Sequence, residues 1–336
     1  MRMGIILNKL IEEIENAKTI GIIGHSSPDG DCVGSCTAVY QYISDNYKDK
    51  NVQIYLQPFK ESFYFLDSAK TILHEWDGKE YDLCIALDCG DDKRFQDFYE
   101  CFQNAKRTVC VDHHISNRGY ADVDIIHPES SSTCELLFDL LEFDKISKET
   151  ADSLYLGLVH DTGVFRYSNT TKHSMEVAGQ LVEKGIQTQM IIDDTFYAKT
   201  YIQNQLLGRA LMESILFLNG KGIVTYFKKN VLDFYGATSI DLDGIVDQLR
   251  LTKGIEVALF VYEKPNGEYK VSMRSNSYVD VSKIASYFGG GGHIRAAGCT
   301  LPASSIYDVI NNVSAHIEKQ LLDYEQNLEE NKCITD

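Results

Sequence analysis

Aspartate and histidine gather in four short segments in the first half of the chain. They are His25–Asp31 (HSSPDGD), Asp88 with Asp91, Asp112–His114 (DHH) and Asp161–Gly163 (DTG). Several aspartates that converged on one small space would repel each other strongly in a low dielectric. Two divalent cations would relieve that repulsion and, at roughly 3.5–4 Å from each other, could clamp a phosphoryl group for in-line displacement. The residue types therefore predict a metal-dependent hydrolase site with two metals.

The ligand types also indicate which metal the site would take. Oxygen and imidazole ligands without thiolate favour Mn²⁺, with Mg²⁺ and Co²⁺ as alternatives. Asp29 and Asp31 lie two residues apart in a predicted extended turn, so their side chains can diverge toward different ions. Asp112 precedes the histidine pair and is predicted to orient an imidazole rather than to bind a metal.

Each of the first three segments follows an apolar run that predicts a β-strand. The runs are IGIIGH (20–25), LCIALD (83–88) and TVCVDHH (108–114). Because ligands bind at the carboxyl ends of the strands in open parallel sheets, we expect the segments to meet there. Turn formation, for which Asp and Gly are also common, explains one such segment but not four together.

Strand and helix patterns alternate along the first part of the chain. The alternation predicts an α/β fold, with an N-terminal domain at 1–187 built on a mainly parallel sheet flanked by helices. Residues 188–215 have helical periodicity without proline and are predicted to form one linker helix. Residues 216–336 are predicted to form a smaller α/β domain, in which strands at 255–264 and 269–275 pair as a hairpin through Asn266 and Gly267.

Composition and charge exclude several kinds of partner. The 336 residues carry a net charge of −17, which would repel long duplex nucleic acid, so we expect a small phosphate substrate. No apolar run is long enough to span a bilayer, and no signal peptide is recognised. The nine cysteines form no CxxC pair, which indicates free thiols in a cytoplasmic protein rather than disulfides or a zinc site. The sequence leaves open whether the chain forms a homodimer.

A series of motifs resembles the DHH/DHHA1 phosphoesterase family over nearly the whole chain. They are HSSPDGD with Gly34 and Ser35, DCGDDKR, VDHHISN, SSTCE, DTGVFRYSNT, SMRS and GGGGHIRAAG. The resemblance implies a DHH catalytic domain followed by a DHHA1 substrate-binding domain. Within the family, this layout resembles the NrnA-type oligoribonucleases (nanoRNases), which also dephosphorylate 3′-phosphoadenosine 5′-phosphate (pAp). The chain lacks the extra DNA-binding region of RecJ-type exonucleases and the sensor segments of large cyclic di-AMP phosphodiesterases.

The resemblance assigns roles to individual residues. The metal ligands that it implies are His25, Asp29 and Asp88 at one position and Asp31, Asp88, His113 and Asp161 at the other. Asp88 is thus implied to bridge the two metals. His114 is implied to face the scissile phosphate as a donor, with Asp112 beside it, and attack by a metal-bridged hydroxide is expected to cleave the ester.

Other residues are candidates for binding substrate. Gly290, Gly291 and Gly292, which precede His293, either form a flexible loop or let backbone N–H groups approach a phosphate, and we favour the second. Arg274 and Arg94 are either solvated charges or phosphate clamps, and Arg274 is the stronger candidate for a clamp. For Asn117 two roles stay open, because it could orient the DHH loop or touch substrate.

The leading hypothesis is a phosphohydrolase that degrades short oligoribonucleotides to mononucleotides and removes the 3′-phosphate from pAp. The nearest alternative keeps the chemistry and changes the substrate to pApA or cyclic di-AMP. A pyrophosphatase shares the metal pattern, but pyrophosphate offers no nucleoside for the GGGGH domain to bind. A non-catalytic nucleotide-binding protein is expected to have lost a metal ligand, and none is missing.

Overall fold

The chain folds into two compact units, one up to Ala198 and one from Lys199 onward. The computed structural model describes the backbone of residues 3–335 and the side chains of residues 9–327. Among these residues, no helix combines the length and the apolar character that crossing a membrane requires. The predicted domain limits at 187 and 216 stay a prediction.

The first unit is a five-stranded parallel sheet with helices packed around it. Its strands are β1 (Thr19–Ile23), β2 (Asn51–Tyr55), β3 (Leu83–Leu87), β4 (Thr108–Asp112) and β5 (Val123–Ile126). Its helices are α1 (Met3–Asn16), α2 (Gly30–Asn46), α3 (Tyr99–Gln103), α4 (Thr133–Leu140), α5 (Lys148–Asp161), α6 (Lys172–Glu183) and α7 (Thr188–Ile192). The parallel sheet that the alternating pattern predicts is confirmed.

The strand order β2-β1-β3-β4-β5 places a topological switch point between β1 and β3. Both strands are buried on both faces: Ile20 and Ile22 belong to one hydrophobic cluster, and Ile23 and Ala86 belong to another. Such burial is why these strands read as continuous apolar runs rather than as alternating ones. A crevice for ligands opens at the carboxyl ends of the strands that flank a switch point.

Helix α2 starts immediately after Asp29. It begins at Gly30 because the Oδ1 atom of Asp29 accepts hydrogen bonds from the backbone N–H groups of Asp31 and Cys32. The extended turn predicted around Asp29 and Asp31 is therefore wrong. Asp29 is the N-cap and Asp31 lies in the first helical turn, and this difference in position separates the two carboxylates.

Helices α2 and α5 pack closely because glycines lie at their contact. A Cβ atom on Gly34 would come within 2.6 Å of the backbone oxygen of Ser153. A Cβ atom on Gly157 would come within 2.5 Å of Oδ1 of Asp31 and would also strike the sulfur of Cys134. The absence of a side chain at Gly157 thus makes room for a predicted metal ligand.

The second unit is built on a six-stranded mixed sheet of order β10-β11-β9-β8-β7-β6. The strands are β6 (Ile215–Phe217), β7 (Gly222–Phe227), β8 (Val257–Glu263), β9 (Tyr269–Ser275), β10 (Gly291–His293) and β11 (Ala296–Leu301). The helices are α8 (Tyr201–Met212), α9 (Lys229–Tyr235), α10 (Ile245–Arg250), α11 (Val281–Tyr287) and α12 (Ile306–Thr335). Strands β8 and β9 pair antiparallel, so the predicted hairpin is confirmed.

The segment predicted as one linker helix, 188–215, is divided in the structure. Helix α7 continues into a π-helical turn at Asp193–Tyr197, and the chain then leaves helical geometry at Ala198. A new helix, α8, starts after Thr200, which caps it together with the side chain of Gln203. The prediction of one continuous helix is therefore wrong, because helical periodicity does not indicate where one helix ends and a capping box starts another.

Candidate metal centre

The first unit brings the predicted metal ligands to one edge of its sheet. His25 and Asp88 follow β1 and β3, the strands on either side of the switch point, and His113 follows β4. The remaining predicted ligands come from helix ends, with Asp31 in the first turn of α2 and Asp161 as the last residue of α5.

Asp88 lies between two groups of ligand atoms. Its Oδ2 atom is 3.6 Å from Nε2 of His25, and its Oδ1 atom is 3.7 Å from Nε2 of His113. The residue is buried and has a φ of +54°, a left-handed conformation that is uncommon outside glycine and tends to persist at functional sites. Each carboxylate oxygen of Asp88 therefore faces a different imidazole, which is the arrangement that a bridging ligand requires.

The first group of ligand atoms surrounds His25. Its Nε2 atom is 3.7 Å from Oδ1 of Asp29, and its Nδ1 atom is 2.8 Å from the carbonyl oxygen of Ser26. Donation from Nδ1–H to that carbonyl leaves the lone pair of Nε2 directed at the carboxylates. The buried thiol of Cys32 also belongs to this group, because its sulfur and donor atoms of His25 and Asp88 all lie within 4.8 Å of one another.

The second group of ligand atoms surrounds His113. Its Nε2 atom is 3.0 Å from Oδ2 of Asp161 and 4.0 Å from Oδ2 of Asp31. Its Nδ1 atom is 3.2 Å from the carbonyl oxygen of Ser130, which again leaves the lone pair of Nε2 directed at the carboxylates.

Asp31 is held by the start of helix α4. Its two carboxylate oxygens accept the backbone N–H groups of Thr133 at 2.7 Å and Cys134 at 3.0 Å. Thr133 also donates its hydroxyl to Oδ1 of Asp88 at 3.1 Å. No role was predicted for Thr133, although its place in the SSTCE motif was a signal for one.

The electrostatics of the cluster fit divalent cations. Burial, together with the charges of Asp88 and Asp161, raises the pKa of Asp31 well above its usual range. Burial likewise raises the pKa of Asp161. Burial alone would lower the pKa of His113, but the carboxylates of Asp161, Asp31 and Asp88 raise it to about 10. Converging carboxylates that repel each other in this way are stabilised by a positive ion, and their oxygen and imidazole donors suit a divalent metal.

A buried network fixes His114 beside this cluster. Its Nδ1 atom is 2.7 Å from Oδ1 of Asp112, and the other oxygen of Asp112 accepts a 2.7 Å hydrogen bond from Nδ2 of Asn117. Burial opposes ionisation of Asp112, but the hydrogen bond from His114 lowers the pKa of Asp112 below its usual value. Because Nδ1 of His114 is committed to Asp112, Nε2 is the nitrogen left to meet a substrate.

The position of Asn117 favours one of its two candidate roles. The side chain is buried, and its Nδ2 atom also lies 3.3 Å from the carbonyl oxygen of Cys89, while its Oδ1 atom accepts the backbone N–H of Gly119. These bonds orient the DHH loop and leave Asn117 little capacity to contact a substrate. Its predicted substrate contact therefore finds no support in this geometry.

Arg94 and His160 lie beside the cluster but differ in their surroundings. Arg94 is exposed, and its Nη2 atom lies 3.3 Å from Nδ1 of His25, so the guanidinium group borders the first group of ligand atoms. His160 precedes Asp161, but its Nε2 atom is 3.0 Å from the hydroxyl of Thr195 and its ring packs on Gly30.

The predicted substrate-binding residues of the second unit lie on β9 and β10, except Gly290, which directly precedes β10. Arg274 donates from Nε to Oδ1 of Asp247 at 2.8 Å, so its guanidinium is paired rather than freely solvated. Arg274 shares a cavity of about 270 Å³ with other side chains of the second unit, among them Lys270, Ser272 and Tyr262.

The glycine run of the second unit is not a flexible loop. Gly291, Gly292 and His293 form edge strand β10, which pairs antiparallel with β11, and His293 is exposed. A Cβ atom on Gly292 would come within 2.5 Å of the carbonyl oxygen of Ala296, and one on Gly290 would strike the backbone of Gly298. Gly290 and Gly292 are thus needed for close packing against β11, whether or not they also approach a phosphate.

A parallel α/β sheet with carboxylates and imidazoles at its switch point defines a metal-dependent hydrolase. The chain belongs to the DHH/DHHA1 family. The model of the DHH family, N-terminal domain, matches residues 19–158, and the model of the DHHA1 domain matches residues 219–320. The protein is accordingly a phosphoesterase, and the resemblance inferred from the motifs is confirmed.

Several known proteins are similar to this chain over nearly its full length. The bifunctional oligoribonuclease and PAP phosphatase NrnA of Bacillus subtilis is 27% identical, over 94% of this chain and 99% of that protein. The cyclic-di-AMP phosphodiesterase PdeA of Listeria monocytogenes is 24% identical over 96% of this chain, which corresponds to 49% of PdeA. A crystal structure of an exopolyphosphatase-related protein from Bacteroides fragilis matches with a TM-score of 0.85 and 25% identity, over 96% of this chain and 97% of that one.

Proposed function

We propose that this phosphoesterase degrades short oligoribonucleotides to mononucleotides and removes the 3′-phosphate from pAp. The observation that carries the proposal is Asp88, whose two oxygens face His25 and His113 within a cluster of buried carboxylates. The substrates follow from the similarity to the NrnA enzymes, which covers almost the entire length of both chains.

The proposed metal ligands fall into two sets. They are His25, Asp29 and Asp88 at the first position and Asp31, Asp88, His113 and Asp161 at the second. We propose Mn²⁺ at both, with Mg²⁺ or Co²⁺ as alternatives, because most of the donors are oxygen and imidazole. Divalent cations bound there would neutralise phosphate charge and lower the pKa of a bound water.

His114 is proposed to donate a hydrogen bond from Nε2 to the reacting phosphate. Asp112 supports this role because it accepts Nδ1–H, fixes the tautomer and stabilises a positive charge on the ring. The exposed guanidinium of Arg94 is proposed to contact a phosphate oxygen at the border of the same group.

The second unit is proposed to hold the nucleoside or terminal phosphate. Arg274 is the main candidate, since Asp247 holds its guanidinium in a fixed position beside a cavity that Lys270 also lines. The exposed β10 residues His293 and Gly291 are proposed to contact the same part of the substrate, together with Gly290 and Gly292. Substrates are thus short RNA and small nucleotides.

A second candidate function keeps the site and changes the substrate to pApA or cyclic di-AMP. The similarity to PdeA over 96% of this chain favours it. A pyrophosphatase is less favoured, because pyrophosphate leaves the second unit without a nucleoside to bind.

A comparison of substrates separates these functions. The full chain loaded with Mn²⁺ would be assayed on pAp, a 5′-labelled RNA dimer, pApA, cyclic di-AMP and pyrophosphate. We expect the highest kcat/KM on the RNA dimer and pAp. Higher kcat/KM on pApA or cyclic di-AMP would support the second candidate, and preference for pyrophosphate would reject both.

A further inference from the structure

Cys32 places a sulfur atom in the first group of ligand atoms. The residue is buried in the first turn of helix α2, where it directly follows Asp31. Its Sγ atom, a nitrogen of His25 and an oxygen of Asp88 all lie within 4.8 Å of one another. Three atoms at such separations can bind a single ion.

The chain makes room for this sulfur. A Cβ atom on Gly24, the residue before His25, would strike Sγ of Cys32, so glycine at this position lets the thiol lie against the end of β1. Cys36 lies one turn further along α2, and its Sγ atom would be 3.3 Å from a Cβ atom on Gly24. Among the described residues, however, Cys36 does not belong to any group of potential metal ligands. The two cysteines are therefore a matched pair that differs in access to the ligand atoms.

The second group of ligand atoms has a different composition. His113, Asp31 and Asp161 offer one imidazole nitrogen and carboxylate oxygens, without sulfur. Sulfur ligands favour borderline and soft cations, whereas oxygen ligands favour hard ones such as Mg²⁺ and Mn²⁺. The two positions should consequently differ in the metals that they prefer.

We propose that Cys32 is a sulfur ligand at the first metal position, so that this position binds Co²⁺, Zn²⁺ or Cd²⁺ more tightly, relative to Mn²⁺, than the second position does. The inference rests on the proposed function, because it concerns the same metal site. Binding forms a bond between sulfur and metal and breaks the S–H bond, and the proton is released to solvent. No oxidant or reductant takes part.

A spectroscopic titration tests the proposal without measuring activity. Metal-free full-length protein would be titrated with Co²⁺, and separately with Cd²⁺, while near-ultraviolet absorption that arises from charge transfer between sulfur and metal is recorded. We expect the band in the wild type and in Cys36→Ala, and its loss in Cys32→Ser. A band that persists in Cys32→Ser, or metal binding without any band in the wild type, would overturn the proposal and leave the proposed function standing.

Affinities give a second readout. Cys32→Ser should lower the affinity for Cd²⁺ by at least roughly tenfold, since even residues that only orient ligands contribute that much. The affinity for Mn²⁺ should fall less, so that the ratio of the two affinities changes, whereas Cys36→Ala should keep the wild-type ratio. Equal losses for both metals would overturn the inference, and failure of the wild type to bind any divalent cation would overturn the proposed function as well.

The wild type alone keeps the proposal testable if Cys32→Ser does not fold. X-ray absorption of the protein loaded with one equivalent of Zn²⁺ should then show a sulfur shell at about 2.3 Å, beyond the nitrogen and oxygen shell at about 2.0–2.2 Å. A spectrum with nitrogen and oxygen neighbours alone would overturn it.

Discussion

At the scale of single residues, Asp88 has the most demanding position in the candidate site. Its two oxygens face two imidazoles, and its backbone adopts a left-handed conformation at the end of β3. The hydroxyl of Thr133 adds a hydrogen bond that holds one of these oxygens. A residue with these combined constraints is expected to tolerate substitution poorly.

We predict that Asp88→Asn loses at least roughly a hundredfold in rate, because the phosphate would no longer be clamped by metals in the right positions. Metal content should fall at both positions, which inductively coupled plasma mass spectrometry of the purified protein would measure. The matched control is Asp91→Asn, an exposed aspartate of the same loop that only caps the backbone N–H of Lys93. Near-normal metal content in Asp88→Asn would contradict the bridging role.

Asn117 donates to Asp112, which in turn holds His114, so we expect Asn117 to act on the phosphate only through these two residues. We predict that Asn117→Ala lowers kcat by roughly 10–100-fold while metal content is retained, as expected for a residue that orients a functional group. In a double-mutant cycle, Asn117→Ala should lower kcat little further in the His114→Ala background, because both changes remove the contribution of a correctly oriented His114. Additive losses would mean that Asn117 supports the loop independently of His114.

At the scale of elements, the close packing of α2 against α5 positions the carboxylate of Asp31. Gly157 on α5 leaves space that the carboxylate of Asp31 occupies. A methyl group there would push against Asp31 and Cys134, and overpacking of this kind typically costs about 1–3 kcal/mol.

We therefore predict that Gly157→Ala lowers the free energy of unfolding by about 1–3 kcal/mol and also weakens metal binding. Gly179 on α6 is the matched control, because a Cβ atom there would meet nothing within 4 Å. Gly179→Ala should stabilise the protein by about 0.5–1 kcal/mol, since alanine is the better helix former. Chemical denaturation of the metal-free and metal-loaded proteins would measure both effects, and equal stability of the two variants would reject the packing argument.

The carboxylate of Asp82 stabilises the start of strand β1. It accepts the backbone N–H groups of Lys18 and Thr19 at the start of β1 and the Nζ group of Lys106. The hydrogen bond from Lys106, followed by those from the two backbone groups, lowers the pKa of Asp82 below its usual value. This stabilisation is fully present above the unfolded pKa and is lost as the pH falls through the folded pKa.

We predict that Asp82→Asn lowers the free energy of unfolding by about 1–2 kcal/mol at neutral pH. The difference from the wild type should shrink as the pH falls below roughly 4, the unfolded pKa of an aspartate. Asp67→Asn, at an exposed carboxylate paired only with Lys70, should have a much smaller effect. A difference for Asp82→Asn that is independent of pH would show that charge is not its cause.

At the scale of the whole molecule, we propose that the second unit selects short substrates, because metals by themselves do not distinguish a nucleotide from a simple ester. Arg274 and the β10 residues are the proposed contacts. Binding energy from parts of a substrate remote from the reacting bond can position that bond, so its loss should reduce rate as well as affinity.

We predict that Arg274→Ala strongly lowers kcat/KM for RNA dimers and pAp and leaves metal binding intact. Hydrolysis of a small chromogenic phosphodiester, which offers no nucleoside, should barely change. Arg250→Ala is a suitable control, since this arginine of the same unit pairs with Asn276 instead. If Arg274→Ala reduced both kinds of activity equally, Arg274 would support the fold rather than the substrate.

Much of the first unit can be predicted from the amino-acid sequence. The buried strands appear as continuous apolar runs, and the ligand segments follow them directly, so the parallel sheet and the gathering of aspartate and histidine at its edge were predictable. Both are local patterns whose meaning depends only on neighbouring residues and on the general behaviour of parallel sheets.

Other features could not be predicted, because they depend on contacts between residues that are distant in sequence. Edge strand β10 forms because β11 pairs with it. Four consecutive glycines do not predict a strand, because glycine has a low strand propensity. Asn117 became an orienting residue because Asp112 and Cys89 accept its hydrogen bonds. Cys32 reached the ligand atoms because α2 starts at Gly30 and Gly24 leaves room for the sulfur. A local pattern cannot encode these contacts, because each depends on where another segment packs.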